Sequence, residues 1–127
     1  MKKTIFILLI LATNTISLMA QGGASRLTVE ERIRNMHEKI DSAFQTDEPT
    51  LARVDSVLEA YYRGTDTLFH KLMDGPRPDR ETMQQKMQPF VDERDKQLKT
   101  LFGDEDFEKW KTEIEPAMRR RGKQSQQ

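Results

Sequence analysis

From Val29 to Met118 the apolar residues recur at three- and four-residue intervals, and nowhere does the chain alternate apolar and polar side chains over the length of a strand. A spacing near 3.6 gathers side chains on one side of a helix, whereas a half-buried strand requires a period of two. This periodicity alone assigns the fold class: all-α, built from four amphipathic helices.

The first segment, Thr28 to Phe44, carries Val29, Ile33, Met36, Ile40, Ala43 and Phe44 on one face, and Thr28 with Glu31 makes a capping-box pattern at its start. A second segment, Pro49 to Met73, begins with proline at a first helical position behind Asp47 and Glu48. Its stripe of Leu51, Val54, Leu58, Tyr61, Leu68 and Leu72 is widened by Val57, Tyr62, Phe69 and Met73, so this helix is expected to be central and to meet more than one neighbour. Gly75-Pro76-Arg77-Pro78 then breaks the chain, since two prolines and a glycine cannot continue a helix. Asp79 is placed to cap a third segment ending at Phe102, with Met83, Met87, Phe90, Val91, Leu98 and Leu101 on its apolar side and a kink expected at Pro89. Gly103 suits a helix end and Asp104 the next N-cap. The fourth segment groups Phe107, Trp110, Ile114 and Met118, and Pro116 should weaken its final turn.

Residues 1–20 are set apart from this pattern. Lys2 and Lys3 precede an apolar run from Ile5 to Ala12 that meets Thr13, Asn14 and Thr15 almost at once. Such a run has the length of a signal-peptide core and falls short of the ~20 apolar residues of a membrane span. The expected organisation is a cleavable signal over 1–20, a flexible lead-in over 21–26, one helical domain over 27–121 and a disordered tail over 122–127. The mature protein is expected to be exported to the periplasm and not to span a membrane. No cysteine is present, which removes disulfides, thiolate chemistry and a lipid-anchoring cysteine.

Removing 1–20 leaves only 19 Leu, Ile, Val and Phe residues in 107. The core must be thin, and helical hairpins built on a second helix nearly 40 Å long, at ~1.5 Å per residue, bury little surface each. A cradle-like homodimer would supply the missing burial. Lys and Arg number 21 against 21 Asp and Glu, so no cationic excess drives nucleic-acid binding. The basic run Arg119-Arg120-Arg121 with Lys123 reads as a solvated helix end, with an anionic lipid surface or an acidic sensor domain as the alternative. No nucleophile elbow or phosphate-binding glycine loop occurs, so the chain is not expected to be an enzyme, and no cofactor is implied. His37 and His70 each stand four residues from a carboxylate, His37 from Asp41 and His70 from Asp66 and Asp74. This spacing is the basis of a metal-binding alternative, although neither HxxxH nor HExxH is present and no metal ligand set is assigned.

Leu27-Thr28-Val29-Glu30-Glu31-Arg32 opening a charged helix, the long second helix, and Leu101-Phe102-Gly103-Asp104 ahead of Phe107-Glu108-Lys109-Trp110 together resemble the Spy/CpxP group of small periplasmic all-α proteins, marked by two LTxxQ motifs. Leu27 and Thr28 fit the first motif, with Glu31 where the group has Gln. In the second motif Leu101 alone fits. The resemblance implies a dimeric, cradle-shaped envelope protein that holds unfolded or misfolded envelope proteins without ATP, or that acts as the regulatory partner of an envelope sensor protein. Met36, Met73, Met83, Met87 and Phe90 would then offer adaptable apolar contacts, rimmed by Arg32, Arg34, Arg53 and Arg94. Their helical spacing equally suits methionines that fill the core.

Overall fold

The computed structural model describes residues 26–124. The expected signal over 1–20, the lead-in as far as residue 25 and the last three residues of the expected tail lie outside the described residues. Helix α1 spans Val29–Phe44, α2 Glu48–Met73, α3 Arg80–Phe102 and α4 Asp104–Lys109. A π-helical segment, Trp110–Ile114, joins α4 to α5, Glu115–Gln124. The described residues contain no strand, and the chain is all-α as its periodicity requires. None of these helices is long and apolar enough to cross a membrane.

The helix starts follow from local chemistry. Thr28 Oγ1 accepts a hydrogen bond from the Glu31 N–H at 3.1 Å, and the Thr28 N–H donates to the Glu31 carboxylate at 2.8 Å, closing the capping box. Asp47 caps α2 by accepting from the Thr50 N–H at 3.1 Å, and Asp79 caps α3 by accepting from the Thr82 N–H at 2.7 Å. Hydrogen bonds from Thr50 and Thr82 hold the Asp47 and Asp79 carboxyls below the ordinary aspartate value. Between α1 and α2 the chain turns at Gln45, whose φ of 48° lies in the left-handed region. Gly103 turns it between α3 and α4 at φ 79° and ψ 170°, a conformation open essentially to glycine alone. Gly103, rather than Asp104, is therefore the residue at the N-cap of α4, and Asp104 is already its first helical residue.

Pro89 sits within α3 without ending it. Pro116 has a different effect: the turn before it widens, and the Glu115 N–H bonds the Trp110 carbonyl five residues back. A proline ring crowds the carbonyl four residues behind it and lacks a donor, and one wide turn relieves both problems. The helix then runs on to Gln124, past the boundary expected at 121.

Contacts run from α1 to α2, α2 to α3 and α3 to α4, and return from the π-helical segment to α1, closing a bundle of four helical stretches. Antiparallel pairing is visible in the partners: Glu30 with Arg63 and His37 with Asp55 across α1 and α2, and Arg94 with Glu115 and Lys99 with Asp104 between α3 and the C-terminal stretch. The core comprises Met36, Ile40, Leu51, Val54, Leu58, Leu98, Trp110 and Ile114. Each stretch contributes, and every one of these residues lies on a stripe read from the sequence. The core occupies one end of the bundle. Beyond Leu58 the only buried residue of α2 is Thr65, and α3 has none before Arg94. Gly64 belongs to this thinner end, where a Cβ at its position would stand 2.6 Å from the Phe90 ring. The missing side chain is what lets Phe90 lie against α2.

Candidate functional site

On the outer side of the α2–α3 pair lie two shallow clefts of about 380 and 450 Å³, lined by these helices alone. They share Val57 and Gln97 and together form one groove. Ala60, Tyr61, Pro89 and Phe90 line one half, and Leu101 with the stem of Arg53 lines the other. Glu93, Lys96 and Arg94 complete its polar edge. The groove exists because Val57 and Leu101 continue the apolar stripes around the sides of α2 and α3 that no other helix covers. Of the residues proposed from sequence to meet a client, it brings together Arg53, Phe90 and Arg94, and it adds the motif residue Leu101.

The remaining candidates disperse. Met36 is buried at 5% exposure as part of the core, where it fills space and faces no solvent. Met73 is exposed, while Met83 and Met87 are half-buried on α3 and line neither cleft. Arg34 is exposed beside a separate cleft with Glu30, Ile33, His37, Asp55 and Arg63. Arg32 pairs with Asp66 and lies over the Tyr62 ring. Of the motif positions, Thr28 and Glu31 serve the capping box, and Leu27 is 49% exposed.

Arg94 is at once a groove residue and the centre of a buried charge network. Its guanidinium donates to Glu115 at 2.9 Å and to Asp95 at 2.8 and 2.9 Å, and it lies over the rings of Tyr61 and Trp110. Lys111 reaches Asp95 at 2.9 Å and Glu115 at 3.0 Å, and Arg119 reaches Glu115 at 2.7 Å. Burial pushes the Glu115 carboxyl up, but the Arg94, Lys111 and Arg119 charges outweigh it and leave the group below the ordinary glutamate value. Burial likewise works against the charges of Arg94 and Lys111, and their hydrogen bonds to Asp95 with the Glu115 carboxylate more than restore them. The wide turn before Pro116 sets this up, since Trp110, Ile114 and Glu115 are all buried on the side of the stretch that meets the bundle. Glu115, Lys111 and Asp95 were not singled out by sequence reasoning. The four-residue spacing of Lys111, Glu115 and Arg119 was the available signal, indistinguishable from a solvated helix face until α3 is docked against it.

His37 Nδ1 lies 2.7 Å from Asp55 Oδ2, so its carboxylate neighbour comes from α2 and not from Asp41 on its own helix. Their cleft holds no serine, threonine or cysteine. Among the described residues no three His, Asp or Glu side chains converge as a metal ligand set.

Comparison with protein-family models, with characterised proteins and with solved structures finds no match to this chain.

Proposed function

We propose that the protein is an exported, ATP-independent holdase of the cell envelope, similar in role to the Spy/CpxP group, which works as a homodimer and shelters apolar segments of unfolded clients. The observation that carries this reading is the groove along α2 and α3, where Val57, Ala60, Phe90 and Leu101 offer apolar contact between Arg53, Lys96 and Glu93. A shallow apolar strip edged by both signs of charge accepts many sequences, because apolar burial is non-directional and rim charges act at longer range. Weak, exchangeable holding needs no nucleotide.

The test is light scattering of an aggregating model client mixed with the purified protein, without nucleotide, at rising molar ratio and at two salt concentrations. Suppression that saturates near one dimer per client and weakens with salt is the expected result. Ala60→Lys, which places a charge in the groove at an exposed helical position, should reduce suppression severalfold while leaving the fold intact. Undiminished aggregation at large excess of protein would overturn the reading.

A further inference from the structure

Charge is segregated along this chain. All 21 acidic residues fall between Glu30 and Glu115, and that span holds 14 of the 21 Lys and Arg, so it is net negative. Residues 1–29 and 116–127 hold the other seven Lys and Arg and no acid. The fold brings these two basic flanks to one corner of the bundle. Leu27, at the entry to α1, and Arg119, on α5, line the same cleft between α1, α2 and the C-terminal stretch.

The carboxylates of this corner are already engaged. Glu30 pairs with Arg63, Asp66 pairs with Arg32, Glu31 closes the capping box, and Glu115 receives Arg94, Lys111 and Arg119. Arg26 lies over the Phe69 ring and Arg120 is exposed, and among the described residues neither pairs with a carboxylate. The Arg119 side chain is 69% exposed despite its bond to Glu115, and the sequence of α5 continues through Arg121 and Lys123. Leu27, at 49% exposure, is one of two large apolar residues that stand exposed among the described residues. A solvent-facing leucine among arginines combines the two attractions of a charged lipid surface, apolar insertion and Coulomb force on anionic headgroups. Consecutive arginines project ~100° apart around a helix, which suits a diffuse surface charge better than a single matched carboxylate.

We propose that this corner docks the protein reversibly on an anionic phospholipid bilayer, with Leu27 entering the headgroup layer and Arg26, Arg119 and Arg120 meeting lipid phosphates. The net-negative body is repelled by the same surface, so docking is oriented and only the corner faces the bilayer. One leucine and a handful of basic residues give weak, exchangeable binding and no permanent anchor. Leu27, Arg26, Arg119 and Arg120 take no part in the groove along α2 and α3, so this inference does not rest on the holdase reading.

The test is sedimentation of the expected mature protein, residues 21–127, with vesicles of phosphatidylcholine alone or of equal parts phosphatidylcholine and phosphatidylglycerol. This chain includes every described residue and lacks the apolar run Ile5 to Ala12, which would itself enter lipid. Binding is expected to the mixed vesicles only, and it should weaken with salt. Each basic side chain at such a surface is worth about fivefold in partitioning, so Arg119→Gln combined with Arg120→Gln should weaken binding on the order of 25-fold. Leu27→Ser should weaken it severalfold. Lys39→Gln combined with Lys109→Gln removes the same charge from exposed positions toward the other end of α1, where Lys109 lies over Phe44. At that distance from the bilayer, screening should hold the change below about twofold. Far-UV circular dichroism checks that each variant keeps its helices. The proposal is overturned if mixed vesicles bring down no protein, if phosphatidylcholine alone binds as well, if the arginine variant binds like the parent, or if the lysine variant loses as much as the arginine variant. Binding to poly-glutamate without binding to vesicles would assign the corner to an acidic protein and would equally overturn it.

Discussion

Neutralising Glu115 isolates the central charge of the bundle. In Glu115→Gln the buried Arg94, 5% exposed, keeps Asp95 but loses its ionic partner across the helix interface. A buried charged hydrogen bond is worth ~1.5–3 kcal/mol. The Lys111 pair, about one-third exposed on the lysine side, adds up to ~1 kcal/mol. Arg119 is largely in solvent and adds next to nothing. The amide oxygen of Gln still accepts one neutral hydrogen bond, which returns ~1 kcal/mol. The net loss is therefore about 0.5–3 kcal/mol, a fall in Tm of roughly 2–24 °C for a domain of this size.

Urea unfolding followed by far-UV circular dichroism measures this loss, and its pH dependence is diagnostic. The folded-state value of Glu115 lies below its ordinary 4.5, so the carboxylate's contribution is complete above that pH and is lost as pH falls through the lowered folded value. Parent and variant should differ most near neutrality and converge in acid below about pH 4.5. A variant within about 0.5 kcal/mol of the parent at pH 7, or a gap that does not shrink in acid while the parent remains folded, refutes the account. Arg94→Met combined with Glu115→Leu should cost less than Glu115→Gln, because removing both charges leaves no buried guanidinium short of a partner.

Further expectations follow from single positions. Leu98, fully buried against α2 and the C-terminal stretch, should cost ~2–5 kcal/mol on replacement by alanine in the same unfolding assay. Gly103→Ala forces an L side chain into a glycine-only conformation and should cost ~1–3 kcal/mol, whereas Gln45→Gly relieves a left-handed residue and should stabilise by up to ~1 kcal/mol. Gly64→Ala gains ~1 kcal/mol of helix propensity but drives its Cβ into Phe90, at an overpacking cost of ~1–3 kcal/mol. A net loss is expected, and Phe90→Leu in the same chain should convert it to a gain; a gain from Gly64→Ala alone would show that the Phe90 ring yields freely.

Helix content and limits were legible because their causes are local. Thr28 and Glu31 meet within one turn, Asp47 and Asp79 each bond an N–H three residues on, and Gly103 supplies a backbone state that its neighbours cannot adopt. The apolar stripes likewise contained all eight core residues, since a helix sorts its side chains by period before it meets anything else.

Tertiary packing decided the rest. Periodicity treats Met36 and Met73 alike, yet one lies in the core and the other is exposed, because the bundle closes over the first half of α2 and thins toward the turn before α3. Arg94 looked like a surface cation among many; its burial depends on Glu115, 21 residues away, being turned inward by the wide turn that Pro116 imposes. Spacing along a helix determines which side chains share a face. Whether a charge on that face meets water or an opposite charge depends on which other helix docks there, and that is a property of the assembled bundle.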